Sequence, residues 1–256
     1  MQNSWRLLLL SENNPYLNMA VDEAVLLAHS QKKTQPTLRF YTWDPPCISL
    51  GYFQKAAEED RKKWQGLNVP FVRRLSGGRA VFHNHDLTYS FTIHEDYNLL
   101  PKNIIQSCQI IGQCLYKGLN FFGISGKLLE INNLRQRAEK KGRETKDCFN
   151  VFSSGEILYA RRKLIGSAQV RKKGVILQHG SILMNYPPVL GNTESLRTIT
   201  LKEILGHEVK PEEIIPCIIK GFENIFNVKF ENVCLTDEEK KTAKKLELEY
   251  RQRGIT

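Results

Sequence analysis

Three strand-like runs, EILYA, KLIGSAQV and GVILQHGSILM, fill residues 156–184 with only RRK and RKKG between them. Connections of that length leave no room for a crossover helix, so the three runs pair as antiparallel neighbours. This block excludes a chain of strictly alternating βαβ units and calls for a sheet whose strands follow one another directly.

The same clustering recurs upstream. TLRFYTW (37–43) and CISLGYF (47–53) are strand-like and split by Asp44-Pro45-Pro46. PFVRRL (70–75), RAVFH (79–83) and LTYSFTIH (87–94) read as a meander, with turns at Ser76-Gly77-Gly78 and Asn84-His85-Asp86. Helical segments stand around these runs. Asn14-Pro15 supplies an N-cap and a first-turn proline, and Leu17, Val21, Ala24, Val25 and Ala28 recur at helical spacing to about Ser30. A charged helix is expected near 55–65, and a second helix from Lys102 to about Phe122. An amphipathic helix is expected over 211–227, and Thr236 with Glu239 forms a capping box opening a last one to about Arg253. The polar stretch 132–147 has no period and reads as an exposed connection. The fold class is α+β, a mixed, largely antiparallel sheet flanked by helices.

Composition narrows the function classes. With 41% hydrophobic and 25% charged residues in 256, this is the composition of a soluble globular chain large enough for a sizeable core. The start, MQNSWRLLLLSENNP, holds four leucines in a row, too short for a signal peptide or a membrane span. A cytoplasmic protein with no membrane partner is expected. Six cysteines are scattered with no CxxC pair, which argues against a disulfide framework and a zinc site, so no metal is expected. Cys108, Cys114 and Cys217 lie in helix-like apolar stretches and read as buried, inert thiols.

The formal net charge is +10 and unevenly spread. Between Ile131 and Val175, twelve Lys and Arg face four acids (Glu139, Glu144, Asp147 and Glu156), giving +8 in one window. Such a patch suits an anionic partner, a nucleic acid or an acidic protein. Few aromatics interleave with it, and no nucleic-acid motif appears.

RRLSGGRAVFH (73–83) surrounds a Gly-Gly pair with three arginines. The glycines allow close backbone approach or a positive φ, and N–H groups beside Arg73, Arg74 and Arg79 suit phosphate, carboxylate or an acyl carbonyl. The spacing is neither a P-loop nor a dinucleotide fingerprint. The pair alone equally fits a hairpin turn.

Three longer segments occur in order: RFYTWDPPCISLGYFQ (39–54), VRRLSGGRAVFHNHDLTYSF (72–91) and RRKLIGSAQVRKKGVILQHGSILM (161–184). Over roughly residues 5–190 the chain resembles the lipoate–biotin protein ligase superfamily. The resemblance implies a class II biotin/lipoyl ligase-like catalytic domain over 1–207, with a C-terminal helical extension over 208–256 packed on it. By the resemblance, Arg74, Ser76, Gly77, Gly78, Arg79 and His83 line an acyl pocket. Gly166, Ser167, Ala168 and His179 add further substrate-binding positions. For His83 a hydrogen-bonded strand-end histidine is an equal alternative. Lys163 matches the lysine that meets the acyl carbonyl, as a cation or as a base.

Members that make an acyl-adenylate carry an Asn-Asp pair ahead of this lysine. Here the stretch reads CFNVFSSGEILYARRK, without that pair and with Cys148 at its head. The resemblance is closest to the cysteine-dependent octanoyltransferases of lipoate synthesis. It implies an acyltransferase moving octanoyl from acyl carrier protein through a Cys148 thioester to a lysine of a dehydrogenase E2 lipoyl domain or glycine-cleavage H protein. Cys148 lies in the cationic window, where a thiolate forms more readily. No cofactor is required, since the donor thioester is already activated, and acidic partners explain the charge without nucleic acid. The alternatives are an amidotransferase working between lipoyl-bearing proteins and a lipoate–protein ligase, which alone would need ATP and Mg.

Overall fold

A computed structural model of the chain describes residues 4–55, 62, 66, 69–125, 129–131, 155–186 and 197–253. The expected helix near 55–65, the connection 132–147 and Cys148 lie outside the described residues or almost wholly so. The chain divides into two interleaved compact units, Met1–Trp5, Glu95–Ser167 and Gly180–Glu231 forming the first, and Arg6–His94, Ala168–His179 and Asn232–Thr256 the second. Residues 208–231 thus belong to the first unit and 232–256 to the second.

In the second unit, β1 (Ser4–Asn13, from Arg6 on) runs parallel to β2 (Thr37–Trp43), pairing Arg6 with Thr37. The connection between them is α1 (Pro15–Ser30), started as the sequence implies: the Leu17 N–H donates to Asn14 Oδ1 at 2.9 Å, and Pro15 occupies the first turn. β2 pairs antiparallel with β6 (Asp86–His94), Thr37 against Thr92. Next come the second-unit parts of β10 (Val175–Leu183) and β9 (Arg162–Lys172). They join through Lys173 and Gly174, both at positive φ (54° and 73°), as the tight RKKG hairpin requires. α1 buries Val21, Ala24 and Val25 in one core cluster with Ala243, Leu246 and Tyr250. Those three lie on the last helix, Asp237–Arg253. Its capping box forms as expected: the Thr236 N–H donates to Glu239 Oε2 (2.7 Å) and the Glu239 N–H to Thr236 Oγ1 (3.2 Å). The same Glu239 carboxylate, 1% exposed, accepts both Nη atoms of Arg6 at 2.8 Å.

The expected meander is corrected. β3 (Cys47–Leu50) lies between β4 (Phe71–Arg73) and β5 (Val81–His83) in a separate small sheet. It runs parallel to β4, Ile48 against Phe71, and antiparallel to β5, Cys47 against His83. Strands of three residues are too short to signal their partner by alternation, so β4 and β5 look like a hairpin in sequence. Ser76-Gly77-Gly78 is therefore no hairpin turn; it carries the chain from one side of β3 to the other.

In the first unit, α2 (Ile104–Phe121) packs on α4 (Pro211–Phe226) through glycines. A Cβ on Gly118 would lie 2.7 Å from Ile218 Cα, and one on Gly221 2.2 Å from the Cys114 carbonyl oxygen. β7 (Leu129–Ile131) pairs antiparallel with β8 (Ile157–Tyr159), which pairs with β9. A short helix, α3 (Leu201–Leu205), a 3-10 turn (Glu95–Tyr97) and strand β11 (Lys229–Asn232) complete the described elements, so the last helix is α5. Trp5 packs its ring against Phe226 and Phe230 at 5.3 and 6.0 Å between centroids. Among the described residues no helix is long and apolar enough to cross a membrane.

Candidate functional site

Within the second unit, the Gly-Gly loop is framed by its own arginines. Arg74, 7% exposed, donates from Nη1 to the Ser49 carbonyl (3.0 Å) and Oγ (3.2 Å). From Nη2 it donates to the Gly77 and Arg79 carbonyls, both at 2.8 Å. Burial pulls this guanidinium down to about 10, against an opposing effect of Tyr41, so it stays charged at neutral pH. Arg73 Nη1 likewise donates to the Gly51 and Gln54 carbonyls, at 2.9 and 2.8 Å. These two cations are spent on shaping the loop. Arg79 differs: its Nη1 is buried with no hydrogen-bond partner among the described residues. A buried donor of that kind is costly unless something fills it.

The glycines divide in the same way. Gly78 has φ +94° and would drive a Cβ to 2.7 Å from Arg74 Nη2. Gly77 has nothing within 4 Å of a Cβ and faces open space. Beneath them, Gly51 lets the loop cross the end of β3: a Cβ there would lie 1.9 Å from the Gly78 carbonyl oxygen. A Gly51→Ala variant is therefore expected to lose about 1–3 kcal/mol and most of its activity, while Gly77→Ala folds normally. Thermal melting with steady-state assays of both variants checks this, and an unaffected Gly51→Ala would refute it.

One histidine holds the loop through Ser76, and a second lies against Ser49 on β3. Ser76 Oγ lies 2.6 Å from His179 Nε2, and His179 Nδ1 lies 3.2 Å from Asp22 Oδ2. Asp22 also accepts from Arg39 Nη1 (2.7 Å) and from the Tyr41 hydroxyl (2.9 Å). Burial pushes the Asp22 carboxyl up, but the Arg39 charge and the His179 hydrogen bond outweigh it, leaving the carboxyl below its ordinary range. In the tautomer that gives Nδ1–H to this carboxylate, Nε2 is the acceptor for the Ser76 hydroxyl. His83 is the hydrogen-bonded strand-end histidine the sequence allows. Its Nε2 lies 2.8 Å from Ser49 Oγ, its Nδ1 lies 2.9 Å from Asp86 Oδ2, and its ring stacks on Trp43 at 4.1 Å.

In the first unit, Lys163 Nζ lies 2.8 Å from Glu156 Oε1. Gly166 sits over this pair: a Cβ there would lie 3.5 Å from Lys163 Cδ and 4.0 Å from Glu156 Oε1. Gly166, Ser167 and Ala168 are all partly buried along β9. At the end of β9, Lys172 Nζ is held by Glu23 Oε1 at 2.8 Å, so not every charge of the basic window is free to meet a partner. Among the described residues no cluster of three or more His, Cys, Asp or Glu could hold a metal ion.

Sequence reasoning missed Glu156, Asp22, Ser49 and Gly51. The signal existed for Asp22, an acid set among the apolar positions of α1, where it is buried together with Asn18, Glu23 and His29. Glu156 was visible only as one acid counted against a basic window.

Residues 14–223 match the family model described as the lipoyl protein ligase A/B catalytic domain. Octanoyltransferase LipM of Clostridioides difficile (strain 630) is 40% identical, the match covering 97% of each chain. Among solved structures, a lipoate-protein ligase A bound with ATP is similar at TM-score 0.79 and 24% identity, covering 98% of this chain and 96% of that one. A bipartite lipoate protein ligase from Thermoplasma acidophilum, described with its E2 lipoyl domain, is similar at TM-score 0.73 and 21% identity, covering 97% and 94%. These structures share the mixed, largely antiparallel α+β fold.

Proposed function

Because the chain belongs to the lipoyl protein ligase A/B catalytic domain family, we propose that it is an octanoyltransferase acting through a Cys148 thioester. The observation that carries this reading is end-to-end similarity, at 40% identity, to a chain named octanoyltransferase. The donor is octanoyl-acyl carrier protein, and the acceptor is a lysine of an E2 lipoyl domain or of glycine-cleavage H protein. The E2 lipoyl domain described with a ligase of the same fold supports that acceptor class.

In the first half-reaction the Cys148 thiolate attacks the donor carbonyl. A carbon–sulfur bond forms to Cys148, the one to the carrier's phosphopantetheine breaks, and the carrier leaves as thiol. In the second, the acceptor amine attacks, a carbon–nitrogen bond forms, and Cys148 sulfur leaves and takes up the amine proton. Neither step needs ATP, Mg or another cofactor, because one thioester is exchanged for another before the amide forms. Lys163 meets the acyl oxygen as a cation, and Gly166, Ser167 and Ala168 flank it along the strand. Arg79 offers its unfilled donor beside the open face of Gly77. Arg74, Ser76, Gly78, His83 and His179 serve substrate binding by fixing the shape of that loop. The basic window draws in acidic carriers and lipoyl domains.

Intact-protein mass spectrometry after mixing the protein with octanoyl-acyl carrier protein, without ATP, tests the reading. One octanoyl adduct, released by hydroxylamine, is expected. No adduct, with acceptor modification only when ATP and free acid are added, would establish the ligase alternative instead.

A further inference from the structure

Glu156 has no part in the mechanism as described, yet its carboxylate is one of the most buried charges of the first unit, its side chain 5% exposed. Its position is fixed from the backbone. The preceding Gly155 has φ +83° and lies so close to α2 that a Cβ would come within 2.3 Å of the Cys108 carbonyl oxygen. Gly112 on the same helix leaves room for the Gly155 carbonyl, which would lie 2.7 Å from a Cβ there. The Lys163 backbone is held as firmly, its N–H donating to the Arg197 carbonyl and its carbonyl accepting from the Ile199 N–H, both at 2.9 Å. The lysine side chain itself is a flexible four-carbon stem with a point charge at its end.

We propose that Glu156 is the positioning residue of Lys163: its fixed carboxylate, 2.8 Å from Nζ, holds the ammonium where it meets the acyl oxygen. The proposal rests on the reading of Lys163 as the cation at the reacting carbonyl. The burial is graded as a tether requires, with the carboxylate 5% exposed and the ammonium side chain, at 18%, the outer member. Gly166 keeps side-chain bulk off the pair, since the nearest approach of a Cβ to it would be 3.5 Å. A buried carboxylate needs a counter-charge in any case. Here that need keeps the lysine in one place before substrate arrives, and pre-set geometry of this kind raises the rate of a chemical step rather than binding.

The test uses the full-length protein and single-turnover transfer from octanoyl-loaded enzyme to a lipoyl-domain acceptor. Glu156→Gln is expected to slow the maximal rate on the order of 10²-fold with the acceptor KM unchanged, and Glu156→Asp to recover part of the loss. In a Lys163→Ala background, Glu156→Gln is expected to cost nothing further, because it acts through that lysine. A Glu156→Gln variant at the parent rate would overturn the proposal, as would a double variant showing both losses multiplied. If Glu156→Gln melts below the assay temperature, Glu156→Asp and the double variant carry the same comparison. Lys163→Ala at the parent rate would bring down the reading of Lys163 itself, and the proposal with it. Retained activity in Glu156→Gln with Lys163→Ala inactive refutes the proposal alone.

Discussion

A Cys148→Ala variant is expected to keep its fold, to take up no octanoyl group from the carrier, and to transfer at less than about a thousandth of the parent rate. Loss of a covalent nucleophile is not compensated by proximity, and Cys47, Cys114 and Cys217 are poor substitutes. Burial pushes the Cys47 thiol well up, with Asp86 adding to it. Burial also pushes Cys114 well up, and Cys217 up despite a nearby Lys220. Cys234 is exposed and provides the control. Cys234→Ser should leave the hydroxylamine-sensitive adduct unchanged. Intact mass and single-turnover transfer read both variants, and near-parental transfer by Cys148→Ala would end the thioester mechanism.

The second large effect is on stability. Asp22→Asn is expected to cost about 3–5 kcal/mol, measured by denaturant unfolding. Arg39 is 3% exposed, and its short contact to Asp22 gives it the counter-charge that a buried guanidinium requires. The amide keeps the shape and removes the charge, leaving Arg39 uncompensated, with a poorer acceptor for Tyr41 and His179. Exchanging both partners, Asp22→Asn with Arg39→Met, should recover part of the loss, since no lone charge then remains inside. The pH dependence has a fixed sign. A carboxyl lowered by folding contributes its full stability above its ordinary value and loses it as pH falls through the folded value. The parent should therefore lose this contribution only below about pH 4, whereas Asp22→Asn should show a flatter profile there. A cost under about 1 kcal/mol would mean that the pair behaves as a surface ion pair and does not hold the loop's support. Loss of that support should also lower activity, because His179 stands between Asp22 and Ser76.

Where local chemistry settles the structure, it was legible in the residues. Asn14-Pro15, the Thr236/Glu239 capping box and the RKKG hairpin each carry their own geometry, and each forms where expected. β1 was missed because WRLLLL shows no alternation: Leu7 and Leu8 are both buried while Leu9 is 43% exposed. The partner of β3 was missed because pairing across about twenty residues of intervening chain leaves no local trace. The Gly-Gly loop was found, but not the use of its arginines. A sequence shows three cations around two glycines, and only the backbone path shows that Arg73 and Arg74 turn inward while Arg79 keeps a donor unspent. The ion pair of Lys163 with Glu156 joins β9 to the residue just ahead of β8, and a register shift between Ile157 and Leu158 removes the simple alternation that would have aligned them.

The Glu239 carboxylate, shared between its helix cap and Arg6, has a bearing on how the chain is made. Arg6 and Glu239 are separated by 233 positions, and both are buried. During synthesis, the Arg6 guanidinium has no Glu239 carboxylate to pair with until the 233 positions that separate them have followed. α1 waits as well, since its core partners Ala243, Leu246 and Tyr250 come later still. The second unit thus cannot be finished in stages along the chain: its closing step joins β1 and α1 to α5, at the full loop-closure cost of a long-range contact.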